Sequence, residues 1–148
     1  MLSKKALYAV RALVTLAGAY PAGATTGQIA QANALPKKFL ETILSELKRA
    51  QITVSVRGRE GGHRLGREPG AISLADVIRV IDGPLAMLPC ASVTSYRPCD
   101  DCPDVEACRI RKALAKGRDA LAGVLESTTL AELAATPDRL DLTADPGR

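Results

Sequence analysis

Thr25-Thr26-Gly27-Gln28-Ile29-Ala30-Gln31-Ala32-Asn33-Ala34-Leu35-Pro36-Lys37-Lys38-Phe39-Leu40-Glu41-Thr42-Ile43-Leu44 is the stretch that decides the fold. Thr25 and Gln28 have capping-box spacing, the hydroxyl and the amide each satisfying a backbone amide at the start of a short helix that runs through Ala32. Asn33-Ala34-Leu35 then makes a tight turn. Pro36 suits the first turn of another helix, where its missing N–H would have no partner anyway. That next helix sets Phe39, Leu40, Ile43, Leu44 and Leu47 on one face, with Lys38, Glu41, Thr42, Ser45 and Arg49 on the other. Two helices joined by a short turn, the second polar outward, form a helix-turn-helix.

Working outward, a first helix is expected from the capping residue Ser3 to Gly18. Its apolar positions Leu7, Val10, Leu13, Val14 and Ala17 recur at helical spacing, and Tyr8 and Arg11 interrupt what would otherwise resemble a signal segment. The uncharged run from Ala12 to Pro36 contains Pro21, three glycines and Asn33, which is not the composition of a membrane span. On the other side, Ile52-Thr53-Val54-Ser55-Val56 alternates as a strand. Arg57-Gly58-Arg59-Glu60-Gly61-Gly62 is a glycine-rich turn, and His63-Arg64-Leu65 returns as the partner strand. The product is a basic wing. In a DNA complex the reading helix would enter the major groove, with Lys38 and Glu41 meeting base edges and Thr42 and Ser45 on the same outward face. Arg57, Arg59 and Arg64 would reach phosphates or the adjoining minor groove. An acid facing a polyanion is not a contradiction, because a carboxylate accepts from the cytosine amino group.

Charge supports this division. The net charge is +4. Residues 1–82 carry twelve Lys or Arg against six Asp or Glu, and residues 83–148 carry eight against ten. The basic part is the expected nucleic-acid face.

Ser73 caps a fourth helix that ends at Gly83-Pro84. All four cysteines of the chain, Cys90, Cys99, Cys102 and Cys108, then fall in one loop stiffened by Pro89, Pro98 and Pro103. A chain of 148 residues has room for a proper core and does not need disulfides to fold. In the reducing cytoplasm, where the protein is placed, clustered thiols point to metal or redox chemistry. An iron-sulfur cluster is the leading reading. Zinc is the alternative, although its structural sites usually bring two close Cys pairs and only Cys99 and Cys102 are close here. A cluster-free switch through a Cys99–Cys102 disulfide is another. Pro103 is expected to open a long helix that carries Cys108 in its second turn. Along that helix Ile110, Leu114, Gly117, Leu121 and Val124 form a coiled-coil seam suited to a homodimer on a two-fold related operator in double-stranded DNA. Thr129-Leu130-Ala131-Glu132 opens a last short helix through Ala135.

With these elements in place, the chain resembles the Rrf family of winged-helix transcriptional regulators, the IscR-, NsrR- and RirA-like cluster sensors. The resemblance rests on Leu7-Tyr8-Ala9-Val10, Phe39-Leu40-Glu41, Ser55-Val56-Arg57-Gly58 with Gly61-Gly62, Asp82-Gly83, the cysteine loop and Thr129-Leu130-Ala131-Glu132-Leu133. It implies a DNA-binding repressor whose three cysteines, matching Cys90, Cys102 and Cys108, hold a 2Fe-2S or 4Fe-4S cluster, with Glu41 and Arg57 at base-contacting positions. The chain departs from the pattern in having Cys99 as an extra thiol. It has Arg111 where IscR-like members carry a histidine, and Leu7 where NsrR-like members carry an acid. Cys99 is therefore the expected fourth ligand. His63 stands where a tyrosine is usual after the wing glycines.

The expected architecture is mainly α with a small β-wing: a winged helix-turn-helix over residues 1–83 and a cysteine loop over 84–108. A dimerisation helix with a short C-terminal helix follows over 103–136, then a loose tail over 137–148. No constellation of base, nucleophile and oxyanion donors suggests an enzyme. The rival from another class is an iron-sulfur carrier or electron-transfer protein, which has no use for a basic wing.

Overall fold

The computed structural model describes residues 2–58, 61–102 and 104–137. Its helices are α1 (Lys4–Gly18), α2 (Thr26–Asn33), α3 (Lys37–Arg49), α4 (Leu74–Ile81), α5 (Arg109–Ser127) and α6 (Leu130–Ala135), with strands β1 (Thr53–Val56) and β2 (Gly62–Leu65). The helix starts follow local chemistry. Ser3 caps α1, and Thr25 with Gln28, Ser73 with Asp76 and Thr129 with Glu132 complete reciprocal capping boxes on α2, α4 and α6. Ala34, at φ 51, ends α2 in the left-handed conformation and turns the chain into α3. Pro36 is the N-cap of α3 and lies one residue outside the helix.

The core gathers Leu13 and Leu16 of α1, Ile29 of α2, Leu40, Ile43, Leu44 and Leu47 of α3, Ile52, Leu65, Ile72 and Val77, all essentially inaccessible. Removing such side chains from water supplies about 1.5–3 kcal/mol each. The inward face of α1 is not the one its large apolar residues suggest. Ala6, Ala9 and Ala12 are buried with Leu13 and Leu16, whereas Leu7 stays 46% exposed. Alanines let α1 lie close against α3, α4 and α6 at once. Phe39, expected inside, is likewise exposed and meets Tyr8 edge-on, with ring centroids 5.8 Å apart.

The wing is an antiparallel pair running in register from Thr53 opposite Leu65 to Val56 opposite Gly62. Its second strand also pairs with the loop after α1: Ala24 and His63 exchange both backbone hydrogen bonds at 2.9 Å. Gly23 makes that approach possible, since it sits at φ +85 and a Cβ there would lie 2.3 Å from the His63 carbonyl oxygen.

The C-terminal helices return to this core. Leu130 of α6 is fully buried in it. Leu74 N–H donates to the Thr128 carbonyl at 2.8 Å and Leu130 N–H to the Ile72 carbonyl at 3.0 Å, fastening the end of α5 to the start of α4. Along its length α5 packs against α4, and Arg79 pairs with Glu126 between them. The start of α5 corrects the sequence expectation. Pro103 lies outside the described residues, but the helix begins at Arg109, with Cys108 as its N-cap rather than in its second turn. The Asp104 carboxylate accepts from the Glu106 and Ala107 amides at 2.8 and 3.2 Å, and this local turn competes successfully with an earlier helix. Of the tail, residues 138–148 lie outside the described residues, as does Arg59 in the wing.

Candidate functional site

The reading helix is held from behind. Four leucine and isoleucine side chains of α3 are buried, and Lys5 of α1 grips Glu46 at 2.6 Å. This leaves Lys38, Glu41, Thr42 and Ser45 together on the exposed face, where Thr42 Oγ1 donates weakly to the Lys38 carbonyl at 3.4 Å. Glu46 is neutralised by Lys5, whereas Glu41 has no ion-pair partner among the described residues. An exposed, uncompensated carboxylate on an otherwise basic helix suits selection of a base more than general attraction to DNA. Arg57 leaves the end of β1 into solvent, and Arg64 is exposed on β2 opposite Val54.

His63 serves the wing through its backbone. Its imidazole is partly buried with Nδ1 inaccessible and unpartnered, and burial, followed by the charge of Lys48, holds its pKa below the usual histidine range. A neutral strand residue fits these surroundings, and the site lies in the wing sheet rather than in the cysteine loop.

The four cysteines lie on the path from α4 to α5. Cys90 sits in a single 3-10 turn, Pro89–Ala91, and is 3% exposed; Cys99, Cys102 and Cys108 are half-buried. Cys99 Sγ–H donates to Cys90 Sγ at 3.4 Å. That bond, followed by desolvation and the charges of Cys90, Cys102 and Cys108, pushes the Cys99 thiol above its ordinary range. Cys108 Sγ accepts the Arg111 backbone N–H at 3.4 Å, so one thiol lies at the positive end of the α5 dipole.

Among the described residues, no three Cys, His, Asp or Glu side chains converge as a mononuclear metal ion requires. Zinc demands four donors about 2.0–2.3 Å from one point, and that geometry is not preformed. A polynuclear cluster asks less of the loop, because its thiolates attach to different irons. The donor set, four thiols on one loop with one at a helix N-terminus, fits that chemistry.

Sequence reasoning missed how this loop is anchored. Arg111 Nε–H donates to the Cys90 carbonyl at 3.0 Å, and the Arg118 guanidinium donates to the Ala91 carbonyl. Both arginines belong to α5, seven residues apart and so on one face of the helix. Arg111 was visible only as a non-ligand in a histidine's place. The expected seam of α5 is largely open: Ile110 is 65%, Leu121 51% and Val124 63% exposed, Gly117 is exposed, and Leu114 is half-buried. Beside it an apolar groove of about 670 Å³ runs between α4, residues 84–87 and α5, lined by Leu74, Ile78, Leu85, Met87, Leu121 and Leu125 among others. No helix among the described residues is long and apolar enough to cross a membrane.

Comparison with known proteins places this geometry. Residues 2–136 match the family model Rrf2, described as an iron-dependent transcriptional regulator. A Rhodobacter capsulatus protein named as an rrf2-like HTH-type transcriptional regulator is 42% identical over 139 residues, covering 91% of this chain and 93% of that one. The structure of CymR (YrzC), the global cysteine regulator of B. subtilis, superposes with a TM-score of 0.74 at 34% identity, over 93% of this chain and 98% of that one. T. potens IscR gives a TM-score of 0.70 at 29% identity, over 91% of this chain and 86% of that one. The Rhodobacter capsulatus protein and CymR are both named as regulators. The helix-turn-helix, the wing and the long helix stand in the same order throughout a match that spans nearly the whole chain, and the chain belongs to the Rrf2 family of transcriptional regulators.

Proposed function

We propose that this regulator is a homodimeric repressor whose grip on a two-fold related operator depends on an iron-sulfur cluster held by Cys90, Cys99, Cys102 and Cys108. The observation that carries the reading is the placement of all four thiols between the winged unit and α5, in a loop tied to α5 by Arg111 and Arg118. The family's description as iron-dependent supports it further. When bound, the cluster would supply an oxidisable inorganic centre responsive to iron supply, redox state or nitric oxide.

This chain's own residues do the rest. Cys90 holds the inner end of the loop, Cys108 the start of α5, and the other two thiols complete the donor set. Arg111 and Arg118 carry any shift of residues 90–91 into α5, whose exposed Ile110, Gly117, Leu121 and Val124, with the half-buried Leu114, would pack on a second subunit. A change in that packing alters the spacing of the two α3 helices, and groove entry tolerates little error in spacing. On DNA, Lys38, Glu41, Thr42 and Ser45 face the major groove with Arg57 beside them. Arg64 and Arg59, the latter outside the described residues, meet phosphates.

Anaerobic purification followed by iron and acid-labile sulfide analysis tests the assignment. Brown protein with iron and sulfide in comparable amounts is expected. Bound zinc without sulfide would refute it.

A further inference from the structure

Spacing alone directs attention to Cys99 and Cys102 as a redox pair, but the fold brings together a different one. Cys90 and Cys99 are in sulfur-sulfur contact at 3.4 Å, and no other two thiols hydrogen-bond to each other among the described residues. Cys102 meets Cys99 through the backbone, its N–H donating to the Cys99 carbonyl at 3.2 Å. A disulfide bond is about 2.05 Å long, so roughly 1.4 Å of approach separates the present contact from a covalent link. The connecting residues can supply it, because Val93 through Pro98 are all exposed, and the Arg97 N–H, donating to the Pro89 carbonyl at 3.3 Å, keeps the Cys99 end of the segment beside the Cys90 turn. The other end is fixed: Cys90 is buried in its 3-10 turn and held through its carbonyl by Arg111. A buried fixed thiol in contact with a more accessible one on an exposed segment is an arrangement suited to reversible closure.

We propose that protein lacking a cluster closes a reversible Cys90–Cys99 disulfide, which withholds the site from cluster loading until a dithiol reduces it. With a low-molecular-weight disulfide such as oxidised glutathione as oxidant, the Cys99 thiolate attacks one sulfur, forms a mixed disulfide and releases one glutathione thiolate. The Cys90 thiolate then attacks the Cys99 sulfur and releases the second. The two protein thiols are oxidised, the glutathione disulfide is reduced to two thiols, and the two protons lost by the cysteines pass to the leaving thiolates. The bond consumes two of the four donors, including the buried one. The disulfide stands on the thiol geometry alone, whereas its locking role rests on the cluster reading above.

The test uses the full-length protein, stripped of metal by chelation under reducing conditions, desalted and exposed to oxidised glutathione. Free thiols are then alkylated and the chain is cleaved on the N-terminal side of aspartate. Fragment 82–99 contains both Cys90 and Cys99 and neither of the others. It is expected to be unalkylated and lighter by two hydrogens, with Cys102 and Cys108 alkylated. A Cys102→Ser, Cys108→Ser double variant should give the same fragment. Linkage of fragment 82–99 to the fragment bearing Cys102, or a glutathione adduct on Cys99 beside an alkylated Cys90, would overturn the assignment. In a second arm, oxidised and dithiothreitol-reduced samples are supplied with ferrous iron and sulfide. Uptake by the reduced sample alone is expected. Equal uptake would overturn the lock. No uptake by either would overturn the lock together with the cluster reading, and the peptide map would still decide the disulfide.

Discussion

Replacing Arg111 and Arg118 together by methionine removes both hydrogen bonds between α5 and the cysteine turn while keeping most of each side chain's bulk. The bonds run from Arg111 Nε to the Cys90 carbonyl at 3.0 Å and from the Arg118 guanidinium to the Ala91 carbonyl. Hydrogen bonds from charged donors contribute about 1.5–3 kcal/mol when protected. The two side chains are 29% and 18% exposed, so water competes at each. A value of about 1 kcal/mol apiece, and about 2 kcal/mol together, is the working figure after that screening. Coupling of about 2 kcal/mol corresponds to roughly a thirtyfold change in affinity, comparable to an entire allosteric switch. The double variant should therefore bind operator with nearly equal affinity whether or not it holds the cluster, its ratio falling within about threefold from a wild-type ratio of about tenfold or more. Fluorescence anisotropy titrations of both proteins in both states, at one salt concentration and normalised to iron content, measure this. A double variant with unchanged fold and iron content that keeps the full wild-type ratio would show that coupling does not pass through these bonds.

On DNA, Glu41→Ala or Arg57→Ala should relax sequence preference by about 1–3 kcal/mol per lost base contact, whereas Arg59→Ala or Arg64→Ala should weaken all sequences alike and flatten the salt slope by about one unit. Equal losses on operator and random DNA for all four would contradict the division. Leu121→Glu with Val124→Glu should yield a monomer of unchanged helicity by sedimentation and circular dichroism, because both positions are exposed and no α5 side chain is buried. Ile43→Ala should lower unfolding stability in urea by about 2–5 kcal/mol, since the side chain is fully buried behind the reading helix. His63 has a lowered pKa in the folded state, so the unfolded chain takes up the proton first as pH falls. Its contribution to stability is intact above the ordinary histidine pKa of about 6.5 and is lost below it, and His63→Gln should flatten that part of the stability profile.

Most structural choices made within a few residues were legible in the sequence. Ser3, Thr25, Ser73 and Thr129 cap the helices assigned to them, and the alternation of residues 52–56 against 63–65 yields the wing. The family resemblance rested on these same segments. What was hidden depends on partners far away in the chain. The inward face of α1 is chosen by how closely α3, α4 and α6 approach, so alanines enter the core and Leu7 remains outside. Nothing near Leu130 announces that its backbone will bond to Ile72, nor does anything near Arg118 announce the Ala91 carbonyl. The beginning of α5 failed for a local reason: Pro103 favours a helix start, but the Asp104 carboxylate captures the next amides in a turn. The cysteine contact was missed because spacing ranks Cys99 with Cys102, whereas the Pro89–Ala91 turn presents Cys90 to Cys99.

Titrating one operator duplex with cluster-loaded and cluster-free protein, at the same salt concentration and with both forms verified as dimers, bears most directly on control of DNA binding by the cysteine site. The loaded form should bind about tenfold or more tightly than the cluster-free form. Superimposable curves would contradict cluster control and favour an iron-sulfur carrier, for which the four thiols serve transfer and not regulation.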